Sequence, residues 1–309
     1  MKITSLFAAF VMMVAAFFWG TTYVIVKIGL SYLNPPLPPL GFLFLRFLIA
    51  LIIIFIPVSL LNPIKDLFIL LKNKWIISLG VVNASAYILQ FLGQGGTTSA
   101  IAALFINIYL ISTPFIAWVI LKERIPKKLI GAIFCGLIGV IMVSTANILI
   151  EPPQDFTIFL ISTILVFFSG IIWGGYSVIS KQINILAHVT NSIPMKNSPL
   201  IFTISNFYTV CLIFFSMLFF NHLPNIFVFT LNSWLIILYL AICGTLIPFV
   251  LIIYASRTLK ASEINLITLL NVIVGLILAS LVLSEDFTLL SVIGSSFIII
   301  AIITSINSK

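Results

Sequence analysis

Four hydrogen-bonding side chains follow one edge of a strongly apolar segment. Asn83, Tyr87, Gln90 and Gln94 are spaced at i, i+4, i+7 and i+11, which places them on one stripe of an α-helix. Lipid offers these groups no hydrogen-bond partner, so the stripe must face protein or a wet cavity. The four side chains either join neighbouring helices, at about 0.6–2 kcal/mol per hydrogen bond, or line a substrate cavity. A full stripe on one helix favours the cavity.

A second stripe combines two aromatic rings with a cation. Trp19, Tyr23 and Lys27 follow one another at steps of four residues and therefore share one helix face. Anchoring at the membrane interface would explain Tyr23 and Lys27, but it explains Trp19 less well. The remaining candidates for substrate contact lie in other apolar segments and are Asn107, Tyr109, Trp173, Tyr176, Tyr254, Asn265 and Asn271.

Two basic residues also lie inside apolar segments. Lys27 and Arg46 fall at similar depths near the predicted outer ends of the first two segments. A cation at the bilayer centre costs at least about 2.5–3.5 kcal/mol, and snorkelling lowers that cost near the interface. Either both side chains reach the outer headgroups, or they form a positive pair at an outer vestibule that meets an anionic group on a substrate. Together with Lys181 they are the candidates for a gate or for charge recognition.

The residues that metal binding, catalysis or proton coupling would require are absent or scattered along the chain. The three cysteines are far apart, and His188 and His222 are predicted in loops, so no metal site, cofactor or catalytic residue is expected. No carboxylate lies deep within an apolar segment, Glu263 being the nearest, which argues against carboxylate-based proton coupling. An integral membrane enzyme and a non-transporting membrane scaffold both remain open.

The composition explains why these side chains must work inside a bilayer. Of the 309 residues, 62% are hydrophobic and 7% are charged, against about 45–50% and 25% in a soluble domain. The mean hydropathy is +1.31. These values exclude a cytosolic enzyme, a secreted disulfide scaffold and a disordered chain. The net charge is +8. In a membrane protein such an excess of positive charge usually comes from basic cytoplasmic loops, so it does not indicate nucleic-acid binding.

The hydropathy pattern predicts ten membrane-spanning helices. A span needs about 20 mostly apolar residues, and Pro, Gly and Asn clusters separate the candidates. The predicted spans are 6–30, 39–61, 75–93, 99–121, 127–147, 157–180, 201–221, 234–255, 261–283 and 288–306. Pro248 lies in the middle of the eighth span, where a proline frees a backbone carbonyl and permits a kink.

The basic residues predict the orientation of these spans. Apart from Lys27 and Arg46, every Lys and Arg falls at the termini or in the loops of one side. The charged residues in the loops of the other side are all acidic, namely Glu151, Asp155, Glu285 and Asp286. Because cytoplasmic loops are enriched in Lys and Arg, both termini are predicted to lie in the cytoplasm, with the chain in the cytoplasmic (inner) membrane.

The two halves of the chain resemble each other. Trp19-Gly20 precedes Lys27 in the same way that Trp173-Gly174 precedes Lys181. Each copy holds five predicted spans, and an odd number makes the second copy enter the membrane upside down. We therefore predict two inverted five-helix repeats, residues 1–147 and 148–309, an arrangement common among secondary transporters.

Several short segments are similar to a known transporter family. The stretch from Phe18-Trp19-Gly20 to Lys27-Ile28-Gly29 resembles the first helix of EamA-like members of the drug/metabolite transporter superfamily. Leu45-Arg46-Phe47 resembles the second helix of that family. Further similarity covers nearly the whole chain and is carried by Thr97-Thr98-Ser99-Ala100, Pro114, Leu121-Lys122-Glu123-Arg124, Gly131, Ala261-Ser262, Glu285 and Gly294.

The resemblance implies a secondary carrier of ten helices with both ends in the cytoplasm. It further implies a central cavity lined mainly by helices one, three, four, six, eight and nine. Substrates in the family are small metabolites such as amino acids, sugars, nucleotide derivatives or drugs. We expect alternating-access transport of a small polar or amphipathic metabolite; its identity, the direction of transport and a possible homodimer are left open.

Overall fold

The computed structural model describes residues 5–29, 38–94, 105–123, 126–148, 155–225, 229–283 and 288–306. Within these ranges the chain forms helices and connecting turns, without a β-strand. The helices are α1 (Ser5–Lys27), α2 (Pro39–Leu61), α3 (Ile64–Leu71), α4 (Lys74–Gln94), α5 (Tyr109–Leu121), α6 (Lys127–Ile148), α7 (Phe156–Val189), α8 (Ser198–Phe219), α9 (Leu231–Ala255), α10 (Ala261–Thr268 and Leu270–Leu283) and α11 (Leu289–Ile306).

Eight of the described helices are long and apolar enough to cross a bilayer, namely α1, α2, α4 and α7 to α11. α5 is a shorter apolar helix of 13 residues, and residues 99–104 of the same predicted span lie outside the described part. α6 covers 22 residues at the position of the fifth predicted span. The all-helical, multi-pass membrane architecture is as predicted, whereas the total of ten spans stays a prediction.

α7 is longer than its predicted span. It covers 34 residues, or about 50 Å at 1.5 Å per residue, whereas the hydrocarbon core measures about 30 Å. Because no Pro or Gly occurs between Lys181 and Val189, nothing ends the helix at residue 180. The placement of Lys181 and His188 in a loop was therefore wrong, and both belong to the C-terminal turns of α7.

α9 changes its hydrogen-bonding pattern in the middle. It is α-helical over Leu231–Ala241, π-helical over Ile242–Leu246 and α-helical again over Ile247–Ala255. Pro248 has no N–H, so the carbonyl four residues earlier, at Gly244, loses its usual donor. The interruption expected from Pro248 is thus present as a π-helical turn that leaves one carbonyl available to another group.

α6 and α11 cross with their backbones in contact. A Cβ added at Gly139 would lie 2.6 Å from the carbonyl oxygen of Gly294, and a Cβ at Gly294 would lie 2.7 Å from that of Gly139. A Cβ at Gly136 would meet the Cβ of Ala301 at 3.5 Å. The contact advances along α11 as it recedes along α6, so the two helices run antiparallel. Small residues allow this close approach.

α2 and α8 also run antiparallel. The side-chain amide of Asn206 donates to the carbonyl oxygen of Phe47 at 3.1 Å, and the rings of Phe44 and Phe214 lie 5.5 Å apart. Moving back along α2 therefore means moving forward along α8. α6 and α11 are the last helices of the two halves of the chain, and α2 and α8 are the second helices. Each of the two pairs therefore joins helices that hold the same place in the order of their halves.

The helix pairing follows an exchange pattern. α4 packs against α7 and α9 packs against α1, while α1 packs against α10 and α7 packs against α5. Each helix of the first half has a counterpart in the second half: α1 with α7, α2 with α8, α4 with α9, α5 with α10 and α6 with α11. If every helix in these contacts is replaced by its counterpart, each contact becomes another contact that is present. α2 with α8, α5 with α10, and α6 with α11 are pairs of equivalent helices that touch directly.

Candidate functional site

Seven aromatic rings meet in the middle of the helical bundle. Phe249 of α9 is fully buried and lies at their centre. The ring centroids of its neighbours lie at 5.4 Å (Trp19), 6.2 Å (Phe47), 6.2 Å (Tyr87), 6.1 Å (Trp173), 5.1 Å (Tyr176) and 6.1 Å (Phe202). These seven residues are called the aromatic cluster below. Three come from the first half of the chain and four from the second, so the cluster lies where the halves meet.

Arg46 of α2 lies beside the aromatic cluster and is only 3% exposed. Its Nε donates to the Thr245 hydroxyl at 2.6 Å, and its Nη2 donates to the Gly244 carbonyl at 2.6 Å and to the Tyr87 hydroxyl at 3.4 Å. The guanidinium carbon is 5.4 Å from the Tyr87 ring centroid and 5.7 Å from that of Phe47. The guanidinium thus points into the bundle, and the interpretation that it snorkels to the outer headgroups was wrong.

The local sequence explains how Arg46 finds an acceptor in an apolar bundle. Pro248 removes the intrahelical donor of the Gly244 carbonyl, and the π-helical turn aims that carbonyl at α2. A side chain at residue 244 would crowd the arginine, because a Cβ there would lie 3.1 Å from Nη2. Gly244 therefore serves two purposes, since its missing side chain makes room for the charge that its carbonyl binds.

The charge of Arg46 has only neutral partners among the described residues. A guanidinium has five N–H donors and stays protonated in proteins. The hydroxyls, the carbonyl and the two rings bind some of these donors but carry no negative charge. The described carboxylates, Asp66, Glu123, Asp155 and Glu263, lie at or near helix ends, and none of them contacts the guanidinium. A buried cation of this kind in a membrane protein is by default a candidate functional site.

Polar atoms at the edge of the aromatic cluster add hydrogen-bonding capacity. The indole nitrogen of Trp173 donates to Gln90 Oε1 at 3.1 Å, which draws the α4 stripe to the cluster. The indole nitrogen of Trp19, a member of the cluster, is buried and has no hydrogen-bond partner among the described residues. Oδ1 of Asn271 in α10 is also buried without a partner among them, and the Asn271 backbone carbonyl lies beside Gly20 of α1. The site therefore combines an apolar aromatic wall, one cation and hydrogen-bonding groups on Trp19 and Gln90.

Other members of the predicted set bind helices together. Asn83 is 3% exposed and its amide donates to the Thr209 hydroxyl of α8 at 3.3 Å. Asn265 accepts from Ser177 and donates to Thr113, which joins α10 to α7 and α5. Of the original stripe, Tyr87 and Gln90 reach the aromatic cluster, whereas Asn83 faces α8.

The last predicted residues lie elsewhere. Asn107 and Tyr109 are buried where α5 begins, and Gln94 is the final residue of α4. Tyr254 lies near the end of α9, where its ring centroid is 4.7 Å from the Arg257 guanidinium carbon. The predictions for the side chains of Tyr23 and Lys27 fall outside the described residues.

Lys181 belongs to a group of charges at one end of the bundle. Burial raises the pKa of the Glu123 carboxyl, while the charges of Lys181 and Lys260 act in the opposite direction and that of Glu263 adds to the rise. Glu263 is 2% exposed and accepts from the Lys260 backbone N–H at 3.0 Å. Glu123 follows the end of α5, Lys181 lies five residues after Tyr176 in α7, and Lys260 and Glu263 lie at the start of α10, so these charges join three helices.

The residues missed by sequence reasoning are mainly apolar. Phe249, Phe47 and Phe202 build much of the aromatic cluster, yet the chain contains 28 phenylalanines and nothing in their spacing distinguishes these three. The Gly244 carbonyl, by contrast, has a signal in the sequence, because Pro248 frees the carbonyl four residues before it. Among the described residues, no group of three or more His, Cys, Asp or Glu side chains could hold a metal ion.

A family model decides what kind of protein carries this site. The model of the EamA-like transporter family matches residues 6–145 and 160–307. The chain belongs to the EamA-like transporter family. This membership agrees with the resemblance noted from short segments and with the apolar helices, and it makes the protein a multi-pass membrane protein of a transporter family.

Two curated relatives of this EamA-like chain are described as transporters. An "Uncharacterized transporter" of Clostridium kluyveri is 28% identical over 231 residues, which cover 74% of this chain and 70% of the relative. An "Uncharacterized transporter" of Archaeoglobus fulgidus is 26% identical over 134 residues, covering 43% of this chain and 39% of the relative.

A solved structure shares the fold of this EamA-like chain. A chain described as "Crystal structure of protein" superposes with a TM-score of 0.76 and 15% sequence identity, covering 96% of this chain and 95% of the other. At this identity the similarity concerns the fold alone. The helix arrangement described above therefore recurs in an experimentally determined structure.

Proposed function

We propose that this protein is a secondary transporter that moves a small amphipathic metabolite bearing an anionic group across the cytoplasmic membrane by alternating access. The observation that carries the proposal is Arg46, a buried cation with neutral described partners beside an aromatic wall. An anionic group on the substrate would neutralise the guanidinium, and its apolar part would contact the aromatic cluster.

The helix arrangement supports alternating access. The exchange pattern of contacts, the antiparallel crossings of α2 with α8 and α6 with α11, and the two separate family matches are what two inverted five-helix repeats would give. On this proposal the repeats are residues 1–147 and 148–309, and ten helices cross the membrane. Two related halves can exchange conformations, which yields outward-open and inward-open states of similar energy.

The location of the site supports the same mechanism. Arg46 belongs to the first half of the chain, and its acceptors Gly244 and Thr245 belong to the second. A substrate anion that binds Arg46 would compete with these acceptors and so alter the contact between the halves. Binding energy would thereby be coupled to the relative movement of the two repeats, as any ligand-driven transition requires.

Transport can be tested with purified protein in liposomes. Labelled carboxylates with an aromatic or branched aliphatic body should enter with saturating kinetics and be displaced by an excess of the unlabelled acid. The matching amides, which are neutral, and the matching amines, which are cationic, should compete at least about tenfold more weakly. The reason is that hydrogen bonds to a charged group contribute about 1.5–3 kcal/mol. Uptake that rises linearly without competition would indicate a leak, and a preference for the amines would refute anion recognition.

Both termini are proposed to lie in the cytoplasm. The basic residues of the loops favour this orientation, and an even number of spans requires the two ends to share a side. Reporter proteins fused separately to the N-terminus and to the C-terminus should both show cytoplasmic activity. A cytoplasmic signal at one end and an external signal at the other would rule out ten spans.

A further inference from the structure

A wide-open cavity lies at one end of the bundle, and none of the residues of the aromatic cluster lines it. It is formed where α1 begins, where α8 begins and where α9 ends. Its volume is about 670 Å³, within the range of about 300–1,000 Å³ that small-molecule pockets occupy. Phe7, Val11, Val250 and Leu251 form an apolar wall, and the cavity is called the end cavity below.

The rim of the end cavity carries two cations. Arg257 Nη2 donates to the Ser198 hydroxyl at 2.9 Å and to the Lys196 carbonyl, while its Nε is buried without a hydrogen-bond partner among the described residues. The ammonium of Lys196 donates to Asn191 Oδ1 at 2.7 Å. None of the described residues that line the cavity is acidic. The rim is therefore complementary to an anionic group.

The apolar part of the end cavity distinguishes an amphiphile from a soluble anion. Phe7 is 46% exposed and Ile193 is 79% exposed, and both line the same cavity as the two cations. A free phosphate or carboxylate would leave these surfaces uncovered, whereas an acyl chain would cover them. The cavity also lies at helix ends, the depth at which the headgroups of a bilayer meet its hydrocarbon.

The charge of this end of the molecule identifies the leaflet. Lys196, Arg257 and Lys260 all follow spans whose ends are predicted to be cytoplasmic. The cytoplasmic leaflet carries anionic lipids, and each Lys or Arg near its surface favours binding about fivefold. We propose that the end cavity binds one anionic phospholipid, with its phosphate between Lys196 and Arg257 and its acyl chain along Phe7, Val250 and Leu251.

Lipid retention tests this site independently of transport. Protein purified in a neutral detergent is supplied with phosphatidylglycerol or with phosphatidylcholine of the same acyl chains, and bound lipid is counted by native mass spectrometry. Phosphatidylglycerol should be retained and should raise the unfolding temperature more than phosphatidylcholine does. Lys196→Gln and Arg257→Gln should each lower its retention about fivefold, whereas Lys65→Gln, which removes an exposed cation of α3, should not.

Two further measurements separate a lipid from a free anion. Leu251→Trp fills the apolar wall without changing the charge and should also lower lipid retention, while soluble glycerol phosphate should neither displace the lipid nor stabilise the protein. Equal retention of both lipids, equal loss in Lys65→Gln and Lys196→Gln, or full stabilisation by glycerol phosphate would each overturn the proposal. If Arg257→Gln fails to fold, the lipid retention of Lys196→Gln tests the proposal by itself. In the described structure the Lys196 side chain is hydrogen-bonded only to Asn191, so this variant should fold.

Discussion

Replacing Arg46 by methionine is expected to leave the bundle folded and to remove its recognition of anions. Methionine keeps an apolar stem and carries no charge. Removal of the buried cation offsets part of the cost, about 1–3 kcal/mol, of leaving the Gly244 carbonyl without its donor. The substrate anion, however, loses its charged partner, which contributes about 1.5–3 kcal/mol. Affinity for the transported carboxylate should therefore fall roughly 10- to 150-fold, measured as saturable uptake into liposomes alongside the unfolding temperature.

Arg46→Lys serves as the companion variant. It keeps the positive charge but loses the planar fork that reaches Thr245 and Gly244 together. We expect it to keep the preference for carboxylates over neutral amides, with weaker binding than the native protein. If Arg46→Met instead transports carboxylates as well as the native chain, the arginine only holds α2 against α9, and the proposed substrate charge is wrong.

Replacing Gly139 by alanine is expected to destabilise the protein strongly. In a helix interior Gly→Ala alone is stabilising by about 0.8–1.0 kcal/mol, so a loss of stability must come from packing. A Cβ at residue 139 would lie 2.6 Å from the Gly294 carbonyl oxygen and 2.8 Å from Ile298. We expect a net loss of about 1–3 kcal/mol, as for other overpacked interfaces, measured by thermal unfolding in detergent.

Gly131 provides the matched control on the same helix. A Cβ added there has no heavy atom within 4 Å, so Gly131→Ala should be neutral or slightly stabilising. Gly139→Ala should thus be clearly less stable than Gly131→Ala. Equal unfolding temperatures for both variants would mean that α6 and α11 do not approach each other as described, and the antiparallel crossing that supports the inverted repeat would be lost.

Much of the fold could be predicted because hydropathy acts locally. In a bilayer every backbone polar group must be satisfied within its own helix, so an apolar segment of sufficient length has one favourable structure. The predicted spans 39–61 and 288–306 agree within a few residues with α2 and α11. The prediction for α7 was too short because hydropathy measures the length of an apolar run, and it does not indicate that the helix continues through the more polar residues after Ser180.

The candidate site could be predicted only in part. Helical spacing placed Asn83, Tyr87 and Gln90 on one stripe, yet a helix in a bundle touches several neighbours. Tyr87 and Gln90 contact the aromatic cluster, while Asn83 bonds α8. Periodicity gives the face of a helix that is polar, but it does not tell which neighbouring helix that face meets.

The sequence alone determined that the chain spans a membrane, which segments are helical, and that Arg46 and Pro248 are unusual within them, because each of these follows from composition and local backbone chemistry. Only the tertiary structure decided that Arg46 meets the carbonyl freed by Pro248 and that Phe249 gathers rings from both halves of the chain. Those contacts join residues about 200 positions apart, and their partners are selected by helix packing, in which many similar apolar surfaces compete and small residues such as Gly244 fix the outcome.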